Sequence, residues 1–265
     1  HQGNQDEAEF AANAASWLED KIIEIGASNV AAFVAEPIQG AGGVIVPPAG
    51  YFKHIQEICR RHDILFVADE VITGFGRTGQ WFASQTMELE PDMMALAKGL
   101  TSGYVPMSAV MVGDRVANKL VADGGEFYHG FTYSGHPVAA AVALANLELI
   151  EREDMITRVR EDTGPYLAEA LAPLAEHRIV GEIRTFGVLA AIELVKSKDG
   201  PEMFEDTGAT GVICRDHAIN RGLMMRAVRD AMILSPALTY SRADIDETVR
   251  IAAQALDATA DQLGL

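Results

Sequence analysis

Between Asp6 and Ile25 the apolar residues Phe10, Ala14, Trp17, Leu18, Ile22 and Ile25 recur at three- and four-residue spacing, which predicts an amphipathic helix. Val30–Ile38 is a short apolar run closed by Pro37 and the glycine-rich turn Gly40-Ala41-Gly42-Gly43, the pattern of a buried strand. Tyr51–His62 returns to helical period. Ile64–Ile72 is apolar and β-branched, and Met93–Ala97 runs into Lys98-Gly99. Strands alternating with helices in this way predict a parallel sheet covered on both faces. Ser108–Val112 reads as a further strand, and Pro137–Glu151 as an alanine-rich helix opened by proline in its first turn. Beyond it the texture changes. Glu151–Leu174 is charged and helical, Ile179–Val195 holds two strand-like runs split by Gly187, a helix covers Thr210–Arg221, and a closing helix over Ala243–Leu263 is capped by Ser241. The change near residue 152 predicts two domains, 1–152 and 153–265, with no low-complexity linker and no internal repeat.

Charge narrows the range of partners. The 265 residues hold 21 Lys+Arg against 38 Asp+Glu, a formal net charge of −17. Such a field repels phosphate backbones and anionic headgroups, so neither nucleic acid nor a membrane surface is an expected partner. No apolar run reaches the roughly 18 to 20 residues of a membrane span. Cys59 and Cys214 lie in apolar helical stretches, as buried thiols do in a reducing, cytoplasmic setting, and they offer neither a disulfide framework nor metal-ligand spacing. The start, His1 to Glu7, has no initiator Met, basic segment or apolar segment. It reads as a chain entered partway rather than as a signal peptide.

In open α/β sheets ligands bind beyond the carboxyl ends of the strands. The residues predicted there are Glu36, Asp69 with Glu70, and Lys98. Acids at one strand tip and a lysine at another are costly unless paired or used. One reading is a structural ion pair. The other is chemical: a lysine that joins pyridoxal phosphate as a Schiff base needs an acid at the pyridinium nitrogen, because only the protonated ring is a good electron sink. A competing motif is Gly74-Phe75-Gly76-Arg77-Thr78-Gly79, which spells the G-x-G-x-x-G of dinucleotide-binding loops. Asp69-Glu70 just upstream would repel a pyrophosphate, and the following segment is too short and irregular for a crossover helix and second strand.

Four blocks then resemble the class III pyridoxal-phosphate aminotransferases in order and spacing: Glu36 to Gly43, Ala68 to Gly79, Ala97 to Gly103, and His129 to Pro137. The likeness continues through Gly181-Glu182-Ile183-Arg184 and Met225-Arg226, and is greatest to amine:pyruvate (ω-) transaminases of the putrescine and diamine type. The resemblance implies an α/β, fold-type-I architecture. Residues 1–152 would be the C-terminal portion of a mostly parallel cofactor-binding domain and 153–265 a smaller α/β domain, with the N-terminal part of the fold absent. It implies pyridoxal 5′-phosphate as cofactor, no metal, and a homodimer with shared active sites. Lys98 would form the Schiff base and carry the proton, Asp69 would hold the pyridinium proton, and Val71 would pack on one ring face. Thr132 would reach the cofactor phosphate of the neighbouring subunit.

For the substrates, the resemblance matches Arg226 to a mobile arginine that meets the acceptor carboxylate and swings away from an uncharged donor, as a guanidinium fork suits. Read alone, Arg226 is equally a solvated surface arginine. Ala41 matches a small pocket-lining position, although a glycine-rich turn can want alanine for close packing alone. Ornithine and 4-aminobutyrate aminotransferases carry an arginine where this chain has Ile233, pairing with the glutamate equivalent to Glu36. Its absence favours pyruvate over α-ketoglutarate. Arg229 stands where relatives usually have Gly, Ala237 replaces a second Pro, and Ser108 replaces a Gly. The expected activity is ping-pong transfer from a primary amine, diamine or ω-amino acid to pyruvate, giving alanine. The alternatives are another donor and acceptor pair, including the α-ketoglutarate type, a non-catalytic interaction subunit, or a nicotinamide oxidoreductase built on the Gly74 loop.

Overall fold

The computed structural model describes residues 6–198 and 202–265, so the first five residues of the chain start discussed above lie outside the described residues. The chain divides into two compact units, and Gln39–Val46 and Gly76–Gly79 belong with the C-terminal one, which otherwise begins at Asp154.

In the first unit α1 (Glu7–Ile25) is capped by Asp6, whose carboxylate accepts from the Ala8 N–H at 3.4 Å. There follow β1 (Ala32–Ala35), α2 (Tyr51–Arg61), β2 (Leu65–Asp69), the short α3 (Ala83–Thr86), β3 (Met93–Leu96), β4 (Ala109–Val112), α4 (Asp114–Ala122) and α5 (Pro137–Arg152). The apolar run at Val30–Ile38 yields only four strand residues, because Glu36-Pro37 ends the ladder where proline has no N–H to give. The sheet order is β1-β2-β3-β4, parallel through β3 and antiparallel at β4. Phe33, Ala35 and Phe66 turn one face onto Ile22, Phe52, Ile55 and Ile58 of α1 and α2. The other face keeps Val34 and Val110 60% and 62% exposed. The sequence pattern does not predict α4, none of whose residues is buried.

The second unit contains α6 (Met155–Arg158), α7 (Gly164–Leu171), β5 (Val180–Phe186), β6 (Leu189–Leu194), α8 (Ala209–Ile219), β7 (Arg226–Val228), β8 (Ala231–Leu234) and α9 (Arg242–Leu263). The stretch expected to be helical over Glu151–Leu174 is helical in segments. Pro165 cannot donate to the helical ladder, and a π-helical turn over Val159–Thr163 separates α6 from α7. The sheet order is β5-β6-β8-β7, antiparallel throughout. Ala190, Ile192, Leu194, Met232 and Leu234 form one face and pack with Leu167, Leu171, Ala252, Ala255 and Leu256 of α7 and α9. Ser241 caps α9 as predicted, accepting from the Asp244 N–H while the Asp244 carboxylate accepts from the Ser241 N–H and hydroxyl. These bonds hold the Asp244 carboxyl below its usual value.

Candidate active site

β2 and β3 run parallel in the register Asp69↔Ala95, so Asp69 ends one strand level with a residue three positions before Lys98 on the next. The Asp69 carboxylate is half-buried, and Oδ1 accepts from the Val71 N–H at 3.1 Å, which fixes its direction at the strand end. Alternation places Asp69 on the face of Val34 and Val110, opposite the α1 and α2 core. Lys98 is exposed and makes no ion pair or side-chain hydrogen bond with any described residue. Its backbone is left-handed at φ 41°, a conformation that costs a non-glycine residue about 1 kcal/mol or more and recurs at functional sites.

Two features hold that strained turn, and neither was legible in sequence. A Cβ on Gly99 would lie 2.9 Å from Cβ of the buried Phe75, so the turn closes directly on the phenylalanine. On α5, Asn146 Nδ2 donates to the Gly99 and Leu100 carbonyls at 2.8 and 3.2 Å, and its Oδ1 accepts from Ser102 Oγ at 2.7 Å. A lone asparagine on an alanine-rich helix was the only available signal.

Glu70 takes a different part from its neighbour. It is fully buried, and its carboxylate accepts from Thr73 Oγ1 at 2.5 Å, the Ala83 N–H at 3.0 Å, and the Ser84 N–H and Oγ at 2.6 Å each. It pairs with no lysine, so an ion pair with Lys98 does not explain this acid. The loop that it ties down contains the G-x-G-x-x-G match, and the dinucleotide reading fails there. A buried carboxylate occupies the start of the loop, and only the four-residue α3 follows. The spacing of Gly74 reflects close approach, since its Cβ would sit 2.8 Å from the Glu70 carbonyl oxygen.

Thr132 is exposed in a turn before α5, where the Phe131 N–H donates to Ser134 Oγ at 2.8 Å and His136 Nδ1 caps the helix. Around it Tyr128, Phe131 and Tyr133 are 87%, 78% and 80% exposed.

Ala41 and Arg226 belong to the second unit. Ala41 is exposed at the tip of a turn closed by a Gln39↔Ile45 bridge and by Gly43 and Val44 N–H donation to the Gly40 carbonyl, each at 3.2 Å. Arg226 is exposed on β7, and its guanidinium makes no hydrogen bond or ion pair with a described residue. The register Arg184↔Ala191↔Ile233↔Arg226 sets the two arginines in one row at opposite edges of the sheet, on the face away from the helical core. Ile233 thus sits beside Arg226, and an arginine there would place a second cation next to the first. Arg229 takes φ 52° in the β7–β8 hairpin, in the left-handed region that favours glycine. Nothing in the structure explains Ser108 or Ala237.

In the sequence Arg184 is marked only by its place in the Gly181-Glu182-Ile183-Arg184 block. Its side chain is 17% exposed; Nη1 reaches Glu182 at 2.6 Å, and Nη2 reaches Glu193 at 2.6 Å. Nε and Nη2 both donate to the Gly43 carbonyl, at 3.1 and 2.8 Å. Burial works against the cation, but the bonds to Glu193 and Glu182 outweigh it and raise the guanidinium pKa. Among the described residues no cluster of three or more His, Cys, Asp or Glu is placed to hold a metal, and no helix is long and apolar enough to cross a membrane.

Residues 2–256 match the family described as aminotransferase class-III. The chain is 55% identical over 258 residues to a putrescine–pyruvate aminotransferase of Pseudomonas aeruginosa, covering 97% of this chain and 56% of that protein. It is 41% identical over 262 residues to a vanillin aminotransferase of Capsicum annuum, covering 98% and 57%. An omega transaminase from Pseudomonas jessenii, solved in complex with PMP, superimposes with a TM-score of 0.93 at 42% identity, covering 98% of this chain and 58% of that one. The chain therefore spans a little over half the length of the relatives it matches. It belongs to the class III aminotransferase family.

Proposed function

We propose that the protein to which this chain belongs is a pyridoxal 5′-phosphate-dependent aminotransferase that moves an amino group from a primary amine or diamine to pyruvate, giving alanine. The observation that carries the reading is the pairing of a directed Asp69 carboxylate and a strained Lys98, without a partner among the described residues, at the ends of neighbouring parallel strands. This pair fits the cofactor, which needs an acid at its ring nitrogen and an amine to join its aldehyde: a directed carboxylate ends one strand, and an amine with no competing partner among the described residues stands beyond the next. The cofactor, when bound, supplies an aldehyde that takes up the amino group and a cationic ring that draws off the electrons of the donor C–H bond.

The chain's own residues supply the rest. Asp69, its Oδ1 held by the Val71 N–H, keeps the ring nitrogen's proton in place, and the Val71 side chain packs on the ring. Lys98 Nζ serves as covalent anchor and then moves the donor carbon's proton, its turn braced by Phe75 and Asn146. Arg226 receives the pyruvate carboxylate as a fork, and its lack of a competing described partner supports that role. Ile233 supports pyruvate over α-ketoglutarate, since the arginine of the α-ketoglutarate enzymes is missing there. Ala41 leaves room for the donor. The exposed Tyr128, Phe131 and Tyr133 around Thr132 support a homodimer in which Thr132 meets the phosphate of the neighbouring site. The two-domain division at residue 152 and a cytoplasmic location complete the proposal.

The test is steady-state turnover of the full-length holoenzyme with putrescine and pyruvate. Alanine should form one-for-one with pyruvate consumed, with the parallel double-reciprocal lines of a ping-pong mechanism. Absence of alanine from a folded, cofactor-loaded enzyme with putrescine and with other primary amines would overturn the assignment.

A further inference from the structure

We propose that Arg184 is a specificity-determining positioning residue, which pins the Gly40–Gly43 turn to the second unit's sheet and so sets the wall that Ala41 presents to the amine donor. The proposal rests on the reading of Ala41 as a pocket residue. Its physical content is local to this unit. The turn is short and closed, with Ala41 at its tip and Gly43 at its base. The Gly43 carbonyl accepts two guanidinium N–H bonds, one from Nε and one from Nη2. Glu182 and Glu193, level with each other on β5 and β6, hold the remaining face of the fork, so the arginine cannot turn without breaking both ion pairs.

Gly43 shows the same constraint from the backbone side. Its φ is 122°, and an added Cβ would lie 3.3 Å from Arg184 Nη2 and 3.6 Å from Ala231 Cβ on β8. The turn therefore lies close against the sheet face that also carries Arg226, and only glycine lets it do so. A lysine at 184 keeps the charge that Glu193 needs but, as a point charge, cannot span Glu193 and the carbonyl with a planar fork. The turn would then be free to shift, and a displacement of about 1 Å at a substrate wall can change rates by up to about 10²-fold.

The experiment compares Arg184→Lys, Gly43→Ala and Ala41→Leu with the parent in the full-length holoenzyme. For each, kcat/KM is measured for slim putrescine and bulky 1-phenylethylamine, together with hydrogen exchange at the Gly43 and Val44 amides. Arg184→Lys and Gly43→Ala should each change the ratio of the two kcat/KM values by about tenfold, with faster exchange at both amides and unchanged KM for pyruvate. Ala41→Leu should lower the bulky donor selectively. A ratio within about twofold of the parent for Arg184→Lys and Gly43→Ala, while Ala41→Leu shifts it, would overturn the role of Arg184 alone, whether or not exchange quickens. No shift in Ala41→Leu would remove the pocket reading and the proposal with it. Loss of both donors in equal proportion would mark Arg184 as structural only and would also overturn it.

Discussion

Replacing Glu70 isolates the energetics of the loop that follows Asp69. The buried carboxylate satisfies two backbone N–H groups, Ala83 and Ser84, and two hydroxyls, Thr73 and Ser84. In Glu70→Ala the hydroxyls can rotate toward other acceptors, but the two N–H groups are fixed by the backbone. At about 1 to 3 kcal/mol per unsatisfied buried group, the loss is about 2 to 6 kcal/mol, with the void left by the side chain adding to it. Glu70→Gln keeps the shape and one acceptor oxygen. Because each carboxylate oxygen serves one of the N–H groups, either orientation of the amide turns its NH₂ toward one of them, at a cost of about 1 to 3 kcal/mol. For a unit of this size 1 kcal/mol corresponds to about 2 to 4 °C in Tm, so Glu70→Gln should melt about 2 to 12 °C below the parent and Glu70→Ala lower still. Thermal unfolding of the full-length holoenzyme, followed by circular dichroism and cofactor release, gives both numbers. A Glu70→Gln variant as stable as the parent would refute the inference that each Glu70 oxygen is needed as the acceptor of a backbone N–H.

Other outcomes follow from the same geometry. Arg226→Ala should raise KM for pyruvate by about tenfold or more while leaving the amine half-reaction unchanged, since a lost charged hydrogen bond is worth about 1.5 to 3 kcal/mol; stopped-flow half-reactions separate the two. Burial pushes the Cys59 and Cys214 thiols up to about 11 each, so neither should react with iodoacetamide at pH 7.5 in the native protein and both should react after unfolding, as read by peptide mass spectrometry. The Glu19 carboxyl is held below its usual value by its hydrogen bonds to His62 and Arg61. Its folded pKa is lower than its unfolded one, so its contribution is present above the ordinary carboxylate range and lost as pH falls through the folded value. The Tm gap between parent and Glu19→Gln should be visible at pH 6 and close toward pH 3.

Helices with a strong period or a chemical start signal were legible: α1 by its apolar spacing, α9 with Ser241 as cap, and α5 with Pro137 at its start, while the Asp6 cap of α1 appeared only in the structure. The strand ends were legible too, because an acid or lysine closing an apolar run stands out. What escaped was set by tertiary context. β7 and β8 are three and four residues long, too short for a period, and the π-helical turn before Pro165 looks like continuous helix until the ladder is traced. Asp69 and Glu70 are adjacent and of one charge, yet alternation turns them to opposite sides and gives them unlike tasks. Asn146 and Arg184 act through carbonyls of Gly99 and Gly43, distant in sequence, and no local pattern encodes such a bond.

The central claim is that Lys98 is the amine that joins the cofactor. Borohydride reduction of the full-length holoenzyme followed by peptide mapping tests it most directly, alongside the visible spectrum before and after addition of putrescine and then pyruvate. The account predicts a single pyridoxyl-modified peptide containing Lys98, with a visible band that is lost on adding the amine and regained with pyruvate. Label on another lysine, or no label in a folded protein saturated with cofactor, would contradict it.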